Sequence, residues 1–391
     1  MFAVFTPARK FLKGAALAVA TFALVAACEP TTLGGGPSIN TDAPVPVALL
    51  VPKGSNQSGD ALLAQSLENA ARLAISDLDG VQIDLRIYAT GGNAATAQAA
   101  AATAVNDGAK IILGPVFAEA ANAAGVAAAK KGVNVLSFSN NTTIAGGNVF
   151  VLGPTFQNTA NRLVSYASRN GKNRMLIVHA DNVSGHQGRN AAVNAINKTS
   201  IAGAGVVSYD FSQQGVVNAV SQIRATADSS QADTIFMTAD TSGALPLFSQ
   251  MLPEAGLSPA TTQFIGLTRW DIPAQTLSLP GVQGGWFAMP DPTLAAQFRS
   301  RYQTAYGAQP HPIGGLAYDG IAAIGALVKA GKSDALTAAA LTQSAGFQGV
   351  NGVFRLLPDG TNERGLAIAT IQNKQVVVID PAPRRFGGAG F

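Results

Sequence analysis

Val47-Ala48-Leu49-Leu50-Val51-Pro52, running on to Gly59-Asp60 and then to Asn69-Ala70-Ala71-Arg72-Leu73-Ala74-Ile75, decides the fold. Its first five residues are apolar without polar alternation, the pattern of a strand covered on both faces. The period then changes. Leu63, Leu67, Ala70, Ala71 and Ala74 share one face at 3.6-residue spacing, which predicts a helix over 60–78. A buried strand feeding an amphipathic helix is the first half of a βαβ unit.

Outward from this unit the alternation continues. Strands are predicted at 81–89, 110–113 and 133–138, with helices at 94–105 and 118–131. A second series begins with a helix at 157–169 and a strand at 175–178. It continues with helix 186–197, strand 205–209, helix 216–225 and strand 234–237. The fold class is therefore α/β, with doubly wound parallel sheets, right-handed crossovers and helices on both faces. The 391 residues suffice for two lobes at roughly 100–200 residues per domain.

The amino end has a different grammar. Arg9, Lys10 and Lys13 precede a small-residue apolar run that ends in Leu24-Val25-Ala26-Ala27-Cys28, the one cysteine of the chain. The run is roughly 14 residues, short of the ~20 that span a bilayer. It resembles the lipobox of bacterial lipoproteins, which implies a signal peptide over 1–27, cleavage before Cys28 and a lipid on its thiol. Residues 28–45, with Gly34-Gly35-Gly36, Pro30, Pro37 and Pro44, read as a flexible tether between lipid and body. Glu29, standing where inner-membrane lipoproteins of enteric bacteria carry aspartate, favours the outer membrane by the same resemblance. Three of the four excess positive charges leave with the leader, and no basic cluster remains for nucleic acid.

Further segments carry a family resemblance: Ile111-Ile112-Leu113-Gly114-Pro115, Gly132-Val133-Asn134-Val135-Leu136-Ser137-Phe138-Ser139, Ala180-Asp181-Asn182, Leu316-Ala317-Tyr318-Asp319-Gly320, and Phe347-Gln348-Gly349-Val350-Asn351-Gly352-Val353-Phe354-Arg355. In this order and spacing, over about 46–379, the chain resembles type I periplasmic binding proteins of the leucine/isoleucine/valine-binding branch. The resemblance implies two lobes joined by three crossover segments. Lobe 1 is expected at 46–153 plus 284–345 and lobe 2 at 154–283 plus 346–381, leaving 382–391 as a tail. Gly153-Pro154 and Met289-Pro290 are hinge candidates, with ordinary turns as the alternative.

Ligands of doubly wound sheets sit outside the carboxyl ends of the strands. That rule selects the loops at 53–59, 116–119, 139–143, 181–185, 240–242 and 268–271. The cleft residues expected there are Ser55, Glu119, Ser139, Asn140, Thr142, Asp181, Ser184, Asp240 and Trp270. A free amino acid needs hydroxyls and N–H groups for its carboxylate and an acid for its ammonium. The carboxylate side keeps Ser139 and Thr142. On the ammonium side the family's tyrosine is replaced by Ser184, and Asp181, Asp240 or Glu119 would have to serve, each more readily read as a turn or cap residue.

Enzyme motifs are absent. Gly331-Lys332-Ser333 lacks the upstream glycine of a phosphate loop, and Ser184 near His186 has no evident third group. Three scattered histidines and one lipidated cysteine give no metal site, and no cofactor is expected. Gly284-Gly285-Trp286-Phe287-Ala288-Met289-Pro290-Asp291-Pro292, Arg269-Trp270-Asp271 and Pro358-Asp359-Gly360-Thr361 resemble proteins assigned as penicillin-binding protein activators of the Lpo type. The leading expectation is a lipoprotein that activates a peptidoglycan synthase. The alternative is the substrate-binding lipoprotein of an ABC transporter, partnered by a permease and a small polar solute.

Overall fold

The computed structural model describes residues 36–387. The leader, Cys28 and the first part of the expected tether lie outside the described residues.

The first sheet is parallel, in the order β2-β1-β3-β4-β5. Its strands are β1 (Val45–Val51), β2 (Ile83–Ala89), β3 (Ile111–Leu113), β4 (Asn134–Ser137) and β5 (Val149–Val151). Helices α1 (Asp60–Ser76), α2 (Ala94–Asn106) and α3 (Ala118–Ala129) connect them. Strand β1 shows why the opening run is apolar throughout. Val47, Leu49 and Val51 face the core under α1, whereas Ala48 and Leu50 face a second core under the alanine faces of α2 and α3. All five expected face residues of α1 are buried.

The second sheet has the order β15-β14-β10-β9-β8-β6-β7. Strands β6 (Arg174–Ala180), β7 (Ala202–Tyr209), β8 (Thr234–Met237), β9 (Gln263–Gly266) and β10 (Trp286–Met289) run parallel. Helices α4 (Phe156–Arg169) and α5 (Val183–Ile196) cover one face, and α6 (Gln213–Ser230) and α7 (Leu245–Glu254) cover the other. Two strands, β14 (Ala367–Gln372) and β15 (Gln375–Asp380), close the sheet as an antiparallel hairpin. Between β10 and β14 in sequence, α8 (Pro292–Tyr306), α9 (Gly315–Lys329) and the short α10 (Ala338–Leu341) return to the first lobe. So does an antiparallel sheet of β11 (Phe347–Gly349), β12 (Gly352–Leu356) and β13 (Asn362–Arg364), whose Phe347, Phe354 and Leu356 join the core of β1 and α1.

Two α/β lobes with parallel sheets are therefore present, but three boundaries differ from the expected ones. The second crossover comes after Met289, not before residue 284, because Trp286 and Phe287 pair with Ile265 and Gly266 of β9. The third comes after Arg364, not at 345, because β11–β13 pack with the first lobe. The described part of the expected tether is packed: Ile39 is buried in the first core and its N–H donates to Ser333 O at 2.9 Å.

Candidate functional site

In a doubly wound sheet the carboxyl-edge crevice opens where neighbouring strands send their helices to opposite faces. In the first sheet that point lies between β1 and β3, and in the second between β6 and β8. Ser55 and Glu119 flank the first, and Asp181, Ser184 and Asp240 flank the second. Ser139, Asn140 and Thr142 follow the adjoining β4.

The loop after β3 makes a tight approach at Gly114, where a Cβ would sit 2.3 Å from Leu50 O; its φ of +92° suits glycine. The next residues present Phe117, an exposed ring, at the start of α3. Among the described residues no side chain caps the first N–H groups of that helix. Glu119 is exposed on its first turn. Beside it, Ser137 Oγ donates to Pro115 O at 3.0 Å and accepts from Ser139 N–H at 3.1 Å. Buried Ser139 accepts from Asn141 N–H at 3.1 Å through its Oγ, which keeps its own proton for a further acceptor. Asn140 and Thr142 are exposed. Helix α1 also lacks a side-chain cap. Its first residue, Asp60, is buried against Gly92, and Asp60 Oδ2 has no hydrogen-bond partner among the described residues.

In the second lobe the acids are engaged. Asp181 Oδ1 lies 2.8 Å from His186 Nε2, so His186 does have an orienting partner. Among the described residues no hydrogen bond joins His186 to Ser184, which is exposed on the first turn of α5. Behind His186 lies the buried ring of His179, edge-on at 5.4 Å, with Nδ1 2.8 Å from Ala180 O. Burial pushes the His179 imidazole below its ordinary pKa. Asp240 Oδ1 accepts from Ser242 Oγ at 3.1 Å. Burial, reinforced by the Asp240 charge, pushes the Tyr209 phenol up. Arg269 grips Asp271, with Nε 2.8 Å from Oδ1.

Trp270, expected to line the cleft, is instead a core residue, 0% exposed. Its ring fills the space left by Gly266 and Gly285, where added Cβ atoms would come within 2.1 and 2.3 Å of it. The apolar groups that do stand at the carboxyl edge were not expected from the sequence: Phe211 (60% exposed), Val183 (75%) and Ile272. Phe211 walls a cavity of about 310 Å³ with Val216, Ala244 and Leu247. The signal for these residues is a large apolar side chain immediately ahead of, or opening, a helix, as in Phe211-Ser212, where Ser212 caps α6. A larger cavity of about 430 Å³ lies between α1, α8 and α9, away from both crevices, and there Asp77, Arg301 and Tyr318 are bonded to one another. Among the described residues no group of three or more His, Cys, Asp or Glu could hold a metal ion, and no helix is long and apolar enough to cross a membrane.

Two sheets of this topology, each offering helix N-termini and loops at its carboxyl edge, define the two-lobed binding-protein class. The periplasmic binding protein profile matches residues 44–375, and the chain belongs to that family. No curated protein matches it. Among solved structures, a protein of Rhodospirillum rubrum assigned to branched-chain amino acid ABC transport is similar at 18% identity and a TM-score of 0.72, covering 86% of this chain and 100% of its own. An ABC transporter substrate-binding protein of Desulfitobacterium hafniense in complex with Leu is similar at 19% identity and 0.63, covering 86% and 100%. A solute-binding protein of an ABC transporter from Rhodopseudomonas palustris BisB5, in complex with 3,4-dihydroxybenzoic acid, is similar at 17% identity and 0.58, covering 88% and 97%. At these identities the likeness is one of fold, the type I, leucine-binding-protein-like fold.

Proposed function

We propose that the chain is the solute-binding component of an ABC transporter and that its solute is a small carboxylate with an apolar body. One observation carries the reading: at the first-sheet crevice the uncapped N-terminus of α3 bears the exposed ring of Phe117 and follows Pro115, whose carbonyl is tied through Ser137 to Ser139. Free N–H groups and a hydroxyl proton suit a carboxylate, and the ring suits an apolar body. In the second lobe the acids that could receive an ammonium, Asp181, Asp240 and Asp271, already have partners, which leaves the exposed Glu119 and the buried Asp60 as the acids open to one. A zwitterion whose ammonium points to the second lobe would bury it uncompensated, at several kcal/mol. This ordering reverses the leading expectation from the sequence. The neighbours that hold Leu and 3,4-dihydroxybenzoic acid support a solute receptor, and no structural neighbour described here points to synthase activation. Attachment through a lipid on Cys28, facing the periplasm, completes the proposal, with the outer membrane favoured only by Glu29.

Titration calorimetry with benzoate, 3,4-dihydroxybenzoate and leucine tests it. The aromatic acids should bind, and leucine should bind no tighter than roughly 100 µM, or about 5.5 kcal/mol. Tight leucine binding would overturn the solute class. Silence toward all three would favour the second reading, a penicillin-binding protein activator, which the exposed Phe211 and Ile272 suit as contacts for a protein partner.

A further inference from the structure

Two buried polar atoms that have no partner among the described residues lie where the chain passes between the lobes. On the first-lobe side, Asn362 Nδ2 donates to Val151 O at 2.7 Å and Gly153 O at 2.9 Å. Arg364 Nε donates to Leu152 O at 3.0 Å, and its Nη1 lies 3.0 Å from Asp319 Oδ2. These bonds weld the first and third crossovers to the first lobe. On the second-lobe side, α4 carries Asn158 and Arg162 one turn apart, hence on one face. Asn158 Nδ2 donates across the pivot to Asn362 O at 2.6 Å. Arg162 Nε donates to Leu366 O at 2.7 Å, and its Nη2 reaches Pro381 O at 3.2 Å and Asp380 Oδ2 at 2.9 Å.

After these bonds, one donor and one acceptor remain unspent among the described residues: Arg162 Nη1 and Asn362 Oδ1. Their side chains are 4% and 3% exposed, so solvent does not reach them freely. The Asn362 amide cannot be reversed to hide its oxygen, because two carbonyls require its nitrogen. The unspent donor is on one lobe and the unspent acceptor on the other.

We infer that Arg162 and Asn362 are positioning residues for lobe movement: the pair is unmade at the present inter-lobe angle and is made when the lobes turn about the crossovers at Pro154 and Gly365. A buried unpaired donor and acceptor are each unfavourable, so an arrangement that joins them in a charge-assisted bond is a second favoured state. Asn158 opposes the turn, since its bond to Asn362 O holds the present angle. The inference concerns the hinge alone and does not depend on which solute or partner the crevices take.

Distance measurement between spin labels tests it in the full chain carrying Cys28→Ser, which removes the one native thiol. The labels go on cysteines placed at Leu62 and Val183, both exposed and on different lobes. The parent should show two distance populations without any added ligand. Arg162→Lys, which keeps the charge near Asp380 but lacks Nη1, should lower the second population about fivefold, the scale of one net hydrogen bond. Asn158→Ala should raise it by a similar factor. Arg169→Lys, which alters another arginine near Asp380, should leave both populations unchanged. A single distance in both the parent and Asn158→Ala overturns the inference. So do shifts of one sign in both Arg162→Lys and Asn158→Ala, or an Arg169→Lys shift as large as that of Arg162→Lys.

Discussion

Arg364→Met would remove one half of a buried ion pair, and its cost can be worked from the surroundings. Asp319 is 0% exposed and Arg364 4%, and they meet at 3.0 Å. Asp319 also accepts Val350 N–H at 2.8 Å and Asn351 Nδ2 at 3.3 Å, so the carboxylate stays in place when the arginine goes. Breaking a buried pair by removing one partner costs about 3–5 kcal/mol, because the remaining charge is uncompensated. For a lobe of ordinary domain size, about 2–4 °C per kcal/mol converts this into a melting temperature lower by roughly 6–20 °C. The mechanism makes a second demand. Asp319→Asn in the Arg364→Met background removes the stranded charge while an amide oxygen still accepts Val350 N–H. The double variant should therefore be more stable than Arg364→Met. It should remain below wild type by about 1–3 kcal/mol, because Leu152 O has lost its buried donor. Thermal and urea unfolding followed by circular dichroism measure both steps. A single variant within 1 kcal/mol of wild type, or a double variant no better than the single, would refute the reasoning.

Gly266→Ala should drive a Cβ into the Trp270 indole, costing about 1–3 kcal/mol and red-shifting tryptophan emission as the ring leaves its pocket; unchanged emission would return Trp270 to the surface. Stability should fall as pH drops below about 6.5, because burial lowers the His179 pKa, so the unfolded chain takes up the proton first. The contribution is complete above the unfolded value and is lost toward the lower folded one. The urea midpoint should therefore fall between pH 7.5 and 5.5, and fall less in His179→Gln. Cys28→Ser should move the protein from the membrane pellet to the soluble fraction, and an unchanged pellet would count against lipid attachment.

Elements whose burial is a property of their own residues were legible in the sequence. Strand 234–237 coincides with Thr234–Met237, and the α1 face residues are all buried, because an apolar run or a 3.6-residue stripe has few alternatives to a core. Elements defined by distant partners were not. Val149–Val151 has three residues and is a strand only because it lies along Val135–Ser137. Trp286–Met289 was assigned to the wrong lobe because nothing within it says that its neighbours are Ile265 and Thr370. The sheet of β11–β13 has the same cause: Phe354 pairs with Phe347 and Arg364, and a turn-rich stretch conceals both pairings.

The site was legible as a set of loops but not as a set of chemical groups. Strand-end geometry selects loops from topology alone, and the two crevices fall at the loops it selected. What each side chain has left to offer depends on partners that spacing does not reveal. Asp181 has the right type for an ammonium receptor, but His186 returns to it from the next turn of α5. Trp270 has the right type for a ligand-stacking ring, but two glycines, one ending β9 and one ahead of β10, open a slot that draws it inward. The exposed Phe211 does not stand out, because an apolar residue in a loop reads as background, whereas Phe117 falls within the selected loop 116–119. Together these exchanges change the chemistry of the edge: the hydroxyls expected at Ser139 and Thr142 stay, Asp181 and Trp270 are engaged elsewhere, and free helix N–H groups and apolar side chains join them. That inventory argues for a carboxylate solute, and of the acids only Glu119 and Asp60, both at the first crevice, stay open among the described residues.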